Sequence, residues 1–182
     1  ISGFQVGHAY NDAVHATGYP APTYQVTAGA LPAGITLGAA TGSLTGTPTA
    51  AGTYTFTIAA TNGYVDGVTK TFTGIVVQAP TWTDRTLAGF VHGQTYDDRV
   101  AAKGTPAPTY TITAGTLPAG IALNGTTGAV SGTPTAAGAY TFTVAAANGI
   151  GTAATATFTG TIVEPVTGND GPGSGAMQPE RL

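Results

Sequence analysis

The chain repeats itself at a constant offset of 86 positions. Pro20-Ala21-Pro22-Thr23-Tyr24 returns as Pro106-Ala107-Pro108-Thr109-Tyr110, and Leu31-Pro32-Ala33-Gly34-Ile35 as Leu117-Pro118-Ala119-Gly120-Ile121. Gly46-Thr47-Pro48-Thr49-Ala50-Ala51-Gly52 returns as Gly132-Thr133-Pro134-Thr135-Ala136-Ala137-Gly138. The offset still holds late in the copy, where Phe72 matches Phe158. So long a period without insertion means two copies of one complete domain, each able to bury its own small core. A site encoded in the module should then occur in both copies, and a site in one copy only is a specialisation.

Within a copy the hydrophobic pattern has period two. In Thr53-Tyr54-Thr55-Phe56-Thr57-Ile58 the aromatic and aliphatic residues share one face and the threonines the other, which is the pattern of a half-buried strand. The second copy repeats it with Tyr140, Phe142 and Val144. Further strands are expected near Tyr10 to Val14, Thr23 to Thr27, Ile35 to Leu37, Ser43 to Thr45 and Phe72 to Val76. In the last of these, apolar Ile75 and Val77 on the opposite face leave the register open. Leu31-Pro32-Ala33-Gly34, Thr41-Gly42 and Asn62-Gly63 are turn signals. No segment has helical periodicity. The predicted architecture is all-β: two tandem Greek-key β-sandwiches of about seven strands each.

The predicted core of the first copy is Tyr24, Leu31, Ile35, Leu37, Leu44, Tyr54, Phe56, Ile58, Phe72 and Val76. That of the second is Tyr110, Leu117, Ile121, Leu123, Val130, Tyr140, Phe142, Val144, Phe158 and Ile162. Cysteine is absent, so packing and turn chemistry must hold each module. The domain reading is module 1 over 1–79, a short Pro/Trp joint over 80–86, module 2 over 87–165, and a flexible Gly-rich tail over 166–182. The tail reads as a linker, a true C-terminus or in part a cloning remnant around Gly171 to Met177. With no initiating Met or signal peptide, and with Ile1 aligned to Leu87, the chain reads as a piece of a longer protein.

The ordered motifs Leu-Pro-Ala-Gly-Ile, Thr-Gly, Gly-Thr-Pro-Thr-Ala-Ala-Gly, Tyr-Thr-Phe-Thr and Ala-Asn-Gly resemble the bacterial "putative Ig" modules. These are immunoglobulin-like or cadherin-like repeats of large surface and secreted proteins. Tyr54-x-Phe56 also resembles the tyrosine corner of immunoglobulin sandwiches. The resemblance implies a fold and an extracellular or cell-surface setting, and no reaction.

The chemistry-bearing residues fit that reading. Only 7% of residues are charged, the net charge is −3, and there are five Lys plus Arg, too few for a phosphate-binding face or an anionic membrane. No apolar run is long enough for membrane insertion. Cadherin-like domains often bind calcium between modules; here Asp12 and Asp98 are equivalent, Asp97 precedes Asp98, and Asp66 and Asp84 lie near the expected module ends. The clustered carboxylates that calcium needs are absent, however, and the carboxylates are expected in solvent or on backbone turns. His8, His15 and His92 have no His counterparts in the other copy and are expected at the surface. No nucleophile motif, repeated carboxylate pair or phosphate loop is present. Lys70 aligns with Ala156 and Lys103 with Thr17, so the module encodes no Lys–Asn crosslink.

No catalytic, cofactor or metal residues are therefore expected, and the chain is read as a non-enzyme. The main functional reading is a spacer or adhesive stalk in a bacterial surface or secreted protein. Its partners would be neighbouring domains of the parent protein and a surface glycan or protein. The alternatives are a carbohydrate-binding accessory module of a secreted hydrolase and an immunoglobulin-like decoration of a virion. The candidate ligand-binding residues are Trp82, Tyr19 and Tyr64, aromatics that the repeat does not share. Trp82 either packs, at the base of the second module or into the joint, or offers its ring to a sugar.

Overall fold

The threonine-aromatic alternation in residues 53–58 becomes a ten-residue strand whose Phe56 and Ile58 are buried, and the equivalent run does the same in the second module. The computed structural model describes residues 1–64 and 66–165. The first module contains β1 (Tyr10–Ala13), β2 (Thr23–Gly29), β3 (Ile35–Leu37), β4 (Ser43–Gly46), β5 (Gly52–Thr61) and β6 (Val68–Val76). The second contains β7 (Gln78–Asp84), β8 (Tyr96–Arg99), β9 (Ala101–Thr105), β10 (Thr109–Gly115), β11 (Ile121–Leu123), β12 (Ala129–Gly132), β13 (Gly138–Ala147) and β14 (Ala154–Ile162). Among the described residues there is no helix.

Each module is two antiparallel sheets face to face. They are β1-β4-β3 against β2-β5-β6 in the first module, and β8-β12-β11 against β10-β13-β14 in the second, where β7 and β9 form a further pair. These are tandem immunoglobulin-like sandwiches. Even the irregularities are copied, with a bulge between Val26 and Ala28 repeated between Ile112 and Ala114. A short segment ahead of β1, and its counterpart ahead of β8, also close each sandwich through the parallel bridges Gln5 to Val77 and Val91 to Val163.

The cores are separate. The first joins Tyr10, Ile35 and Leu44 of one sheet to Tyr24, Phe56, Ile58 and Val76 of the other, with Phe4 beneath them. The second is its copy, with Phe90 in the place of Phe4. Every residue predicted for either core belongs to its cluster, and Val76 settles the register of β6, since it is buried while Ile75 is half exposed. On the core face Phe56 lies 5.4 Å from Phe72 across the strands. On the solvent face the Thr57 and Thr71 hydroxyls meet at 2.8 Å. Such cross-strand pairs fix the register of an antiparallel sheet.

The two most visible repeated motifs hold each other. Ala33 and Gly34 form the middle of a turn in which the Ile35 N–H donates to Pro32 O at 3.0 Å. The carbonyls of that turn accept from the other motif, Gly34 O from Thr47 N at 3.1 Å and Ala33 O from Thr49 N at 3.0 Å. The same bonds join Gly120 to Thr133 and Ala119 to Thr135 at 3.1 and 2.9 Å. Gly34 and Gly120 have φ of 87° and 86°, a conformation that favours glycine at the third position of a turn.

Two sequence expectations are corrected. The segment expected as the joint 80–86 is a paired strand through Asp84, because β7 runs antiparallel to β9 with Trp82 opposite Ala102. The Tyr54 side chain does not make a tyrosine corner: its ring packs edge-on to Phe4, with centroids 5.1 Å apart, and lies across Gly74. The tyrosines that bond to backbone are Tyr24 and Tyr110, which clasp Ala16 and Ala102, and Tyr10 and Tyr96, which donate to Ser2 O and Ala88 O. The predicted tail 166–182 lies outside the described residues.

Candidate functional site

The repeated positions are core and turn residues, so a site special to one module would lie where the modules differ. They differ most along the side that β7 covers in the second module. There the Trp82 ring packs 6.1 Å from Tyr110, and its indole N–H is buried with no hydrogen-bond partner among the described residues. The half-buried Trp82 ring thus packs against the core of the second module. Asn148 fixes the start of the same strand: its side-chain amide donates to Gln78 O at 2.8 Å and to Pro106 O at 2.7 Å. Gly104 permits the passage, since a Cβ there would meet Gln78 O and Pro80 Cα at 3.3 Å.

In the first module the segment His15–Tyr19, which corresponds to β9, is not a strand. Beside it a hollow of about 80 Å³ opens between Val14, Ala16, Tyr24, Ile58, Lys70 and Phe72. It continues past Ala16, Ala60 and Val68 into a second hollow of about 120 Å³ bordered by Gly18, Asn62 and Asp66. Together they make one groove. Among the described residues no strand lies over it as β7 lies over the second module. Val100 is fully buried whereas Val14 is partly exposed, and Val68 on the groove wall is 66% exposed. At the groove's end Asn62 donates to Pro20 O at 3.3 Å, which ties the loop bearing Tyr64 to the segment bearing Tyr19. Tyr19 is 97% exposed and Tyr64 is 75% exposed. The structure thus brings Tyr19 and Tyr64 to neighbouring loops of the first module and places Trp82 in the second.

The titratable groups elsewhere serve the scaffold. Asp12 Oδ2 accepts from the Ser2 N–H at 2.7 Å and Oδ1 from the Ala13 N–H at 2.8 Å, and these bonds hold its carboxyl below the usual carboxylate range. Asp98 does the same with the Ala88 and Arg99 N–H groups at 2.9 and 2.8 Å, with the same direction of shift. Their repetition therefore marks a backbone staple at the start of each sandwich. His92 Nδ1 lies 2.8 Å from Glu164 across the parallel bridge, and this contact raises the imidazole above its ordinary value. His8 and His15 are exposed. Among the described residues no three His, Cys, Asp or Glu side chains group as metal ligands would.

The family follows from the extent of the match. The description "Putative Ig domain" fits residues 4–77 and again 79–163. The chain belongs to this family. The first match ends and the second begins where the structure changes sandwich, since Gln78 opens β7. These Ig modules are 34% identical over 131 residues to the "Serine-rich adhesin for platelets" of Staphylococcus aureus strain MRSA252, covering 70% of this chain and 10% of the adhesin. The MW2 strain's adhesin is also 34% identical over 131 residues, with 6% of its length covered. The chain thus spans a tenth or less of these two relatives. Among solved structures, Sidekick-1 immunoglobulin domains 1–4 superpose with a TM-score of 0.58 at 15% identity, over 90% of this chain and 46% of that one. The N-terminal eight Ig domains of Down Syndrome Cell Adhesion Molecule give 0.58 at 20% identity, over 90% and 23%. At such identities they show the fold alone.

Sequence reasoning missed Phe4 and Phe90, two of the most buried residues, because they lie outside the strands. Their equivalence across the repeat was the available signal. The groove was hidden more deeply, because it shows only when the described residues of the two modules are compared in three dimensions.

Proposed function

We propose that the two Ig modules are a non-catalytic spacer within a bacterial cell-surface or secreted adhesive protein. The carrying observation is that what the modules share is scaffold: two separate cores, paired motifs and backbone staples. The similarity to the staphylococcal adhesin supports a cell-surface setting, and favours it over a virion. In this reading the modules' partners are the neighbouring domains of the parent chain, and the length they add holds another domain away from the surface.

A second reading is a carbohydrate contact at Tyr19 and Tyr64, favoured by their exposure on adjoining loops of one module. Aromatic rings offer an apolar face at the surface, although isolated exposed rings are common. A glycan array probed with the whole chain separates the two. The spacer reading expects no retained glycan. Binding that disappears in Tyr19→Ala and Tyr64→Ala would contradict it and establish the second reading.

A further inference from the structure

We propose that the groove of the first module is a strand-acceptor site whose occupant is the joining strand of a neighbouring immunoglobulin-like module, an extended segment with the Pro-x-Trp spacing of Pro80 and Trp82. The second module supplies the template. Its equivalent groove is filled by β7, which pairs with β9 and sets Trp82 over Tyr110. The acceptor parts are present in both modules. Ala16 matches Ala102, Tyr24 matches Tyr110, Gly18 matches Gly104 and Phe72 matches Phe158. Ala16 and Tyr24 are clasped as Ala102 and Tyr110 are, by an N–H to hydroxyl bond of 2.9 Å against 2.8 Å. The receiving wall is therefore already in place.

The amide at the groove's end is the sharpest sign. An asparagine amide has two N–H donors. In the second module the Asn148 amide bonds both Pro106 O and the incoming strand's Gln78 O. In the first, among the described residues, the Asn62 side-chain NH2 donates only the equivalent bond, to Pro20 O. The other donor corresponds to the one that receives a strand carbonyl. In the β7–β9 register, an incoming strand would set its indole opposite Ala16 and its Asp84 equivalent opposite His15, with Lys70 also on the groove wall. An acidic end to the strand suits that wall. Main-chain pairing would supply affinity and the indole pocket specificity, as in other cases of strand addition to a sheet edge.

The chain also shows how such a strand is delivered. Val77 is bonded to the first module through Val77 N to Phe4 O and Val6 N to Val77 O, at 3.0 and 2.9 Å. Its next residue, Gln78, begins the strand that covers the second module. The end of one module thus leads directly into the cover of the next, and a strand seated on the first module would join it to its neighbour in the same way.

The test uses the full chain and a peptide of residues 78–86. The peptide is added in solution and, separately, joined ahead of Ile1 to remove the limit of weak affinity. Backbone hydrogen exchange at residues 15–19 and the NMR signals of the Asn62 amide report occupancy. The expected result is at least tenfold slower exchange at one or more of these positions in the joined form, with displaced Asn62 signals. Both effects should be lost when the added segment carries Trp82→Gly. Unchanged exchange and unchanged Asn62 signals in the joined form would overturn the proposal. So would equal protection by the Trp82→Gly segment. Protection without added peptide, accompanied by dimers in sedimentation, would assign the groove to self-pairing and overturn the proposed occupant.

Discussion

Phe56→Ala should strongly destabilise the first module and leave the second intact. Phe56 is fully buried in the middle of an aromatic row, 5.7 Å from the Tyr54 ring and 5.4 Å from Phe72. Truncating such a residue costs about 3–5 kcal/mol, from lost transfer energy and the cavity left behind. Domains have about 5–15 kcal/mol in total, and a small sandwich without disulfides belongs near the lower end. For a module of this size each kcal/mol lowers Tm by about 4–8 °C, so the first module should melt well before the second. The second core shares no residue with the first, so its NMR signals should keep their positions in the variant. Phe142→Ala should give the mirror image. Loss of both modules together in either variant would contradict independent folding.

The next largest effect is expected at a glycine. Gly34→Ala imposes a side chain at a φ of 87° and drives its Cβ into the carbonyl oxygen of Thr47. The left-handed conformation alone costs about 1–2 kcal/mol. The collision adds to this, because Thr47 is held by its own bond to the Gly34 carbonyl and cannot retreat without breaking the link between the two repeated motifs. Gly63→Ala is the matched control, with a φ of 82° and nothing within 4 Å of the new Cβ. Thermal melts should show a clearly larger loss for Gly34→Ala than for Gly63→Ala. Equal losses would mean that the packing of the two motifs adds nothing to the backbone term.

These two residues show why much of the fold is legible in the sequence. The period-two run around Phe56 has no reading other than a half-buried strand, and the copy around Phe142 removes accident. Pro and Gly at fixed positions announce the turn at Gly34. That the turn is gripped by Gly46–Thr49 cannot be read from one chain, because nothing local links the two motifs. Strand β7 was hidden for a different reason. Its Pro80 and Asp84 interrupt any alternation, and the described first module has no counterpart against which to compare it. Trp82 therefore reads as a packed ring with an exposed one as the alternative, and what it packs on is visible only when Tyr110 is seen beside it. Tyr19 and Tyr64 stand out by sequence difference alone, but their nearness depends on the Asn62 bond to the Pro20 carbonyl. The groove becomes visible only when the two modules are compared in three dimensions.

The central claim is that the duplication builds a pair of sandwiches in line, serving as a spacer. Small-angle scattering of the whole chain in dilute solution tests it most directly. A compact particle of this length has a radius of gyration of about 16 Å. A module whose longest strand has ten residues is about 33 Å long. Two such modules end to end should raise the radius above about 20 Å, with a distance distribution skewed to long vectors. A symmetric distribution near the compact value would show the modules folded against each other and would contradict the account.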